Sequence, residues 1–131
     1  MKILTIPYTV RELWPIDSDT LTAWVDVATG VRLKWRIRLR RIEGGEMDSA
    51  EGQLGRDVVA RILANIDHEG ASFFGNVDEL DQFGRHVGDI QFKDGSKLIG
   101  HLMSNGHHWV RERNGLQRPE TAGNRTKIGV K

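Results

Sequence analysis

From Leu33 to Arg40 apolar and basic residues alternate without a break, Leu33, Trp35, Ile37 and Leu39 against Lys34, Arg36, Arg38 and Arg40. Side chains change face at every residue only in a strand; a helix would scatter these eight around its whole circumference. The segment predicts a β-strand with one face for a core and one face that is basic. Upstream, Leu21, Ala23, Val25 and Val27 alternate with Thr22, Trp24 and Asp26, which predicts a strand over 20–27 joined to the first through a Thr29-Gly30 turn.

The other elements arrange themselves around this pair. Residues 3–10 are β-prone, with Pro7 favouring an edge because it lacks a ladder donor. Asp48, with Glu51 three residues on, predicts the N-cap of a helix that ends near Asn65 and turns Leu54, Val58, Val59, Ile62, Leu63 and Ile66 inward. Strands over about 71–77 and 86–92 flank a polar turn at 78–85, and Leu98, Ile99, Leu102 and Met103 predict a short helix stopped at Gly106. Three strands, a helix, two strands and a helix predict a mainly β chain with α, an α+β fold built on a five-stranded OB-type barrel. One domain over 1–110 would be followed by a polar, basic and mobile tail, 111–131.

Composition narrows the chemistry. The chain has no cysteine, so thiolate metal sites and cysteine nucleophiles are excluded and any metal must be held by oxygen or imidazole. Its 19 Lys and Arg nearly balance 18 Asp and Glu, so bulk charge does not announce a nucleic-acid binder. No secretory leader or membrane span is legible, and a cytoplasmic protein is expected. Neighbouring histidines do not share a helix face, so His101, His107 and His108 are expected as solvated groups near a helix end, with His108 or Trp109 available to stack a base. Trp14, Trp24 and Trp35 are expected in barrel packing or a surface groove.

Three short segments carry the remaining chemistry: Asp17-Ser18-Asp19-Thr20 before one strand, Arg38 to Glu46 after the next, and Asp81-Gln82-Phe83-Gly84-Arg85 in the later hairpin. In this order and spacing they resemble the staphylococcal nuclease family, over roughly residues 8–110. That family's motifs read Asp-Gly-Asp-Thr, then Arg, four residues, Asp, two residues and Glu, then Asp-Lys-Tyr-Gly-Arg. Here Ser18 stands for the Gly, Glu43 for the second Asp, Gly44-Gly45 for a segment usually containing Pro, and Gln82 and Phe83 for the Lys and Tyr.

The resemblance implies a metal-dependent endonuclease, a phosphodiesterase acting on DNA or RNA with little sequence preference. Asp19, Glu43 and the backbone carbonyl of Gly44 would hold a divalent ion, Ca2+ by family habit, in an oxygen-rich shell. Arg38 and Arg85 would grip the scissile phosphate, and Glu46 would orient or deprotonate water. Lys34, Arg36 and Arg40 share the face of Arg38 and would extend the nucleic-acid contact. The alternative is an inactive relative whose barrel binds single-stranded nucleic acid or a protein partner.

Overall fold

The two alternating segments pair with each other. The computed structural model describes residues 8–43, 49–105, 108–112 and 115–117. The elements are β1 (Tyr8–Pro15), β2 (Thr20–Ala28), β3 (Val31–Leu39), β4 (Ile42–Glu43), α1 (Ala50–Ala64), β5 (Ser72–Leu80), β6 (His86–Gln91), α2 (Leu98–Asn105), β7 (Trp109–Glu112) and β8 (Gly115–Gln117). Five strands close a barrel in the order β1-β2-β3-β6-β5. Within it β3 and β6 run parallel, and the other pairs are antiparallel. This is the α+β, OB-type architecture that the order of elements predicts. Ile42 and Glu43 also pair with β7, and β8 completes a second sheet in the order β4-β7-β8. Residues 118–131 of the expected tail lie outside the described residues. Among the described residues no helix is long and apolar enough to cross a membrane.

The period-two pattern explains the core. Leu21, Ala23 and Val25 from β2 and Ile37 and Leu39 from β3 are buried, facing Phe73 and Ile90 across the barrel. Val58, Val59 and Leu63 of α1, with Leu98 and Leu102 of α2, join the same core. Each of these Val, Leu, Ile and Phe side chains contributes about 1.5–3 kcal/mol by leaving water. Trp35 packs at the rim, stacked on His86 with ring centroids 3.6 Å apart and edge-on to Phe73 at 5.5 Å. Trp14 stays 59% exposed beside Arg56.

Several sequence expectations shift. The first strand lies at 8–15 rather than 3–10, and residues 1–7 are outside the description. Its alternation is masked by a bulge: pairing steps from Arg11 opposite Trp24 to Trp14 opposite Thr22, with Glu12 at φ 54°. The helix is capped by Ser49, whose hydroxyl accepts from the Gly52 N–H at 3.0 Å, whereas Asp48 lies outside the described residues. Gly52 and Gly55 occupy the buried face of α1, and Leu54 is 44% exposed, so the inward stripe is rotated from the one expected. Leu33 is 49% exposed because β3 pairs with β6 only from Ile37 onward, leaving the start of the strand against β2 alone. The hairpin turn is shorter than expected, since β5 continues to Leu80. The proposed stop at Gly106 is outside the description.

One close approach depends on glycine. Gly75 and Gly88 face each other across β5 and β6, under the ring of Phe73. A Cβ at Gly88 would collide with that ring and with the Phe74 carbonyl, and one at Gly75 would reach the Val87 carbonyl at 2.5 Å. Phe73 fills the volume the two missing side chains leave, so neither backbone can retreat without opening the barrel. Gly88→Ala is expected to destabilise the protein by about 1–3 kcal/mol in urea denaturation, whereas Gly95→Ala, where a Cβ meets nothing within 4 Å, strains only its own backbone.

Candidate functional site

Register builds the site. Thr20 lies opposite Arg38 in the β2–β3 ladder, and the Asp19 carbonyl accepts the Leu39 N–H at 2.8 Å. The acidic turn before β2 is thereby fixed against the basic end of β3. Within the turn the Asp17 carboxylate accepts the Asp19 N–H at 3.1 Å, and the Thr20 carbonyl accepts the N–H groups of Ile16 and Asp17. Positive φ among described non-glycine residues is confined to Glu12 and Arg41, so Ser18 fills the family's glycine position without strain.

Arg38 is the hub. Its Nη1 donates to the carbonyls of Leu39 and Ile42, and its Nη2 donates to Glu43 Oε2 at 2.8 Å and stands 3.7 Å from Asp19 Oδ2. The side chain is only 16% exposed, so these contacts sit largely out of water, where ion pairing is stronger than on an open surface. The third segment joins through Thr20. Arg85 Nη1 donates to Thr20 Oγ1 at 3.0 Å, and that hydroxyl donates to Asp19 Oδ1 at 2.9 Å. Asp81 makes the turn rigid by accepting from the N–H groups of Phe83 and Arg85 at 2.9 Å and from Arg85 Nε at 2.7 Å. Burial pushes the Asp81 carboxyl up, but those donors outweigh it and hold its pKa below the usual value.

Asp19, Arg38, Glu43 and Arg85 thus meet in one cluster drawn from three separate segments. Gly44 and Glu46 lie outside the described residues. The other basic positions diverge. Arg36 Nη2 donates to the Phe83 carbonyl at 2.5 Å, so it braces the turn carrying Arg85. Arg40 donates to the Val87 carbonyl at 3.3 Å, while Lys34 stands over the Trp24 ring, four residues down the strand from Arg38.

Charge within the cluster is uneven. Burial, then the neighbouring Asp17 carboxyl, pushes the Asp19 pKa up to about 6, and Arg38 and the Thr20 hydroxyl offset this only in part. Among the described residues no three His, Asp or Glu gather as a metal shell requires. The donors that are present still fit a hard divalent ion. Asp19 and Glu43 offer carboxylate oxygens on either side of one guanidinium nitrogen, and the ionisation penalty on Asp19 is one a cation would relieve.

His108 corrects an expectation. It is fully buried rather than solvated, with Nε2 donating to the Ser18 carbonyl at 2.8 Å, and it cannot stack a base. No spacing in the sequence points to this contact, because it arises only when β7 pairs with Ile42 and Glu43 and carries residue 108 under the acidic turn. His101 bonds Ser96 Oγ at 2.9 Å, and His107 and the Trp109 side chain are outside the description.

A small barrel thus brings two arginines, side-chain forks of the kind that match phosphate oxygens, together with two carboxylates. No family model matches the chain. Two proteins of Oryza sativa subsp. japonica, the probable staphylococcal-like nucleases CAN3 and CAN2, are each 34% identical to it over 76 residues. That stretch is 58% of this chain and 19% of each relative, so the chain spans about a fifth of the length of the curated relatives it matches. The similarity is therefore to staphylococcal-like nucleases, and it is partial.

The raised Asp19 pKa has a sign in stability. Unfolded, the carboxyl titrates near pH 4; folded, it titrates near 6. Stability that Asp19 contributes in its protonated form is complete below the lower value and is lost as pH rises through the upper one. Asp19→Asn is expected to raise stability at pH 7.5 in chelator by about 1–3 kcal/mol and to change it little near pH 3, measured by urea denaturation at both values. A loss at pH 7.5 would mean that the bonds to Asp19 outweigh its burial.

Proposed function

We propose that this chain is a staphylococcal-nuclease-like module that hydrolyses phosphodiester bonds of DNA or RNA with little sequence preference and requires a divalent cation, calcium on the family's pattern. The observation that carries the reading is the convergence of Asp19, Arg38, Glu43 and Arg85 from three distant segments. Arg38 and Arg85 present planar donor forks that match phosphate oxygens and stay charged at any working pH. Their charge is held in place before substrate arrives, Arg85 by Asp81 and Arg38 by backbone carbonyls, which is the preorganisation that stabilises developing negative charge. Glu46 orients or deprotonates the attacking water. Asp19 and Glu43, with the Gly44 carbonyl, hold the cation, which when bound supplies charge compensation on the phosphate. Arg40 extends the phosphate contact, Lys34 lies further along β3, and Arg36 acts through the turn it braces.

A second reading has its own support. The Arg38 fork is already engaged by Glu43 and two carbonyls, which suits a module that binds single-stranded nucleic acid without cleaving it. Incubation with single-stranded and duplex DNA and RNA, with calcium, magnesium, manganese or chelator, separates the two. Chelator-sensitive cleavage is expected, reduced by about 100-fold or more in Arg38→Ala and comparably in Glu46→Gln. Salt-sensitive binding with no turnover under any ion would give the second reading.

Cation binding has a readout free of substrate. Calcium is expected to raise the thermal midpoint at pH 7.5 in the parent protein and to leave that of a Glu43→Gln, Asp19→Asn double variant unmoved. Equal shifts in both would place the ion elsewhere.

A further inference from the structure

Beside the cluster the outer face of the barrel holds a concavity that the phosphodiester site does not use. Its volume is about 430 Å³, enough for a group of nucleotide size. Register explains its position. Arg38 pairs with Val87 and Phe74 with Asp89, and side chains alternate. Arg38, Arg40, Asp89 and Phe74 therefore share the outer face, while Ile37, Leu39, Phe73 and Ile90 fill the core. The Arg40 N–H donates to the Gly88 carbonyl at 2.9 Å and keeps that residue in line with β6. Arg40 is two residues past Arg38, roughly 7 Å further along the strand direction, a step commensurate with that between neighbouring phosphates of a polynucleotide.

The walls are cationic and aromatic, with Ile99 and Met103 of α2 adding an apolar side. Arg40, Arg41 and Lys97 line the pocket against a single carboxylate, Asp89. Asp89 has a structural task of its own, accepting the N–H groups of Ile90 at 2.7 Å and Ile99 at 3.1 Å and so tying the start of α2 to β6. Lys97 Nζ stands 6.0 Å from the centre of the Phe74 ring, which is half-buried with its body in the pocket wall. Cations set around an aromatic face are the pattern by which proteins hold single-stranded bases and their phosphates.

Arg41 adds an independent sign. Its φ is 67°, in the left-handed region that glycine enters freely and L side chains avoid. Turn geometry alone favours a glycine at this position, yet the chain places a cation there, at the rim of the pocket.

We propose that this pocket is a nucleotide subsite for a single-stranded polynucleotide. Resting on the nuclease reading for what lies at Arg38, it takes the nucleotide next to the one whose phosphate is held there. Arg41 and Lys97 contact its phosphate, and its base stacks on Phe74. The module therefore recognises a strand rather than an isolated diester.

Fluorescence anisotropy with labelled single-stranded DNA of eight nucleotides and with a labelled nucleoside monophosphate, in chelator so that nothing is cleaved, tests this on the full chain. The parent is expected to bind the longer strand more tightly. Arg41→Gly and Lys97→Ala should each weaken that binding by about three- to tenfold and lower the salt slope by about one, while mononucleotide affinity stays within about twofold. Phe74→Leu should weaken it by about fivefold or more without altering the salt slope. Arg41→Gly relieves the strained φ, so its thermal midpoint should equal or exceed the parent's, and weaker binding in that variant is not a folding defect. Unchanged affinity and slope in all three variants would overturn the subsite, as would equal affinity of the parent for both ligands. Failure of the nuclease reading shows separately, as absence of cleavage with every divalent ion. Variant-sensitive binding of the longer strand alongside that absence would uphold the pocket as a strand-binding site.

Discussion

The cluster depends on the register of β2 against β3, in which Thr20 faces Arg38. A slip of one residue would exchange the two faces of β3, turning Arg38 toward the core and Ile37 toward water. The buried row of Leu21, Ile37 and Leu39 resists that slip, since each fully buried side chain is worth about 1.5–3 kcal/mol. The placement of the charged groups is thus enforced by apolar packing on the opposite face of the same strands. Once Arg38 is placed, Asp19 follows through its carbonyl bond to Leu39, and Arg85 follows through Thr20.

What the sequence disclosed and what it hid follow from the same physics. Strict alternation in β2 and β3 disclosed the barrel, because only a half-buried strand needs period two. It also overstated the apolar face, as Leu33 lies where β3 has outrun β6. The bulge at Glu12 inserts one extra residue, destroys the alternation of β1 and hides the strand from any pattern search. Asp48 and Ser49 are both good caps by residue type, and the choice between them is made by where the chain enters the helix, which is a tertiary matter.

The site divides along similar lines. Motif spacing pointed to Asp19, Arg38, Glu43 and Arg85, and the fold brings those four together. The basic face of β3 was read as one surface, but its members have different partners. Arg36 is spent on the Phe83 carbonyl and Lys34 on Trp24, and Arg40 turns toward β6 and the neighbouring pocket. His108 left no trace in the sequence, because its contact with Ser18 spans 90 residues and exists only through the pairing of β4 with β7. Long-range contacts of this kind are invisible to local pattern, and they are what holds the acidic turn from below.

The electrostatic balance of the cluster separates its arginines by role. Arg85 is matched by Asp81 within its own turn, and Arg38 by Glu43, so each cation arrives with a carboxylate of its own. Asp19 is left without such a partner of its own, and burial first, then the neighbouring Asp17 carboxyl, push its pKa up to about 6. A polyanionic strand brought to such a place would meet net repulsion close to Asp17 and Asp19 unless further positive charge were supplied. The pocket of Arg40, Arg41 and Lys97 lies on the same face but away from the acidic turn, and there the cations outnumber the single carboxylate. On the proposed strand-binding reading, this pocket supplies net positive charge beside the cluster. On the proposed function, a polynucleotide would be captured by its neighbouring phosphates while a small cation set the balance at Asp19 independently.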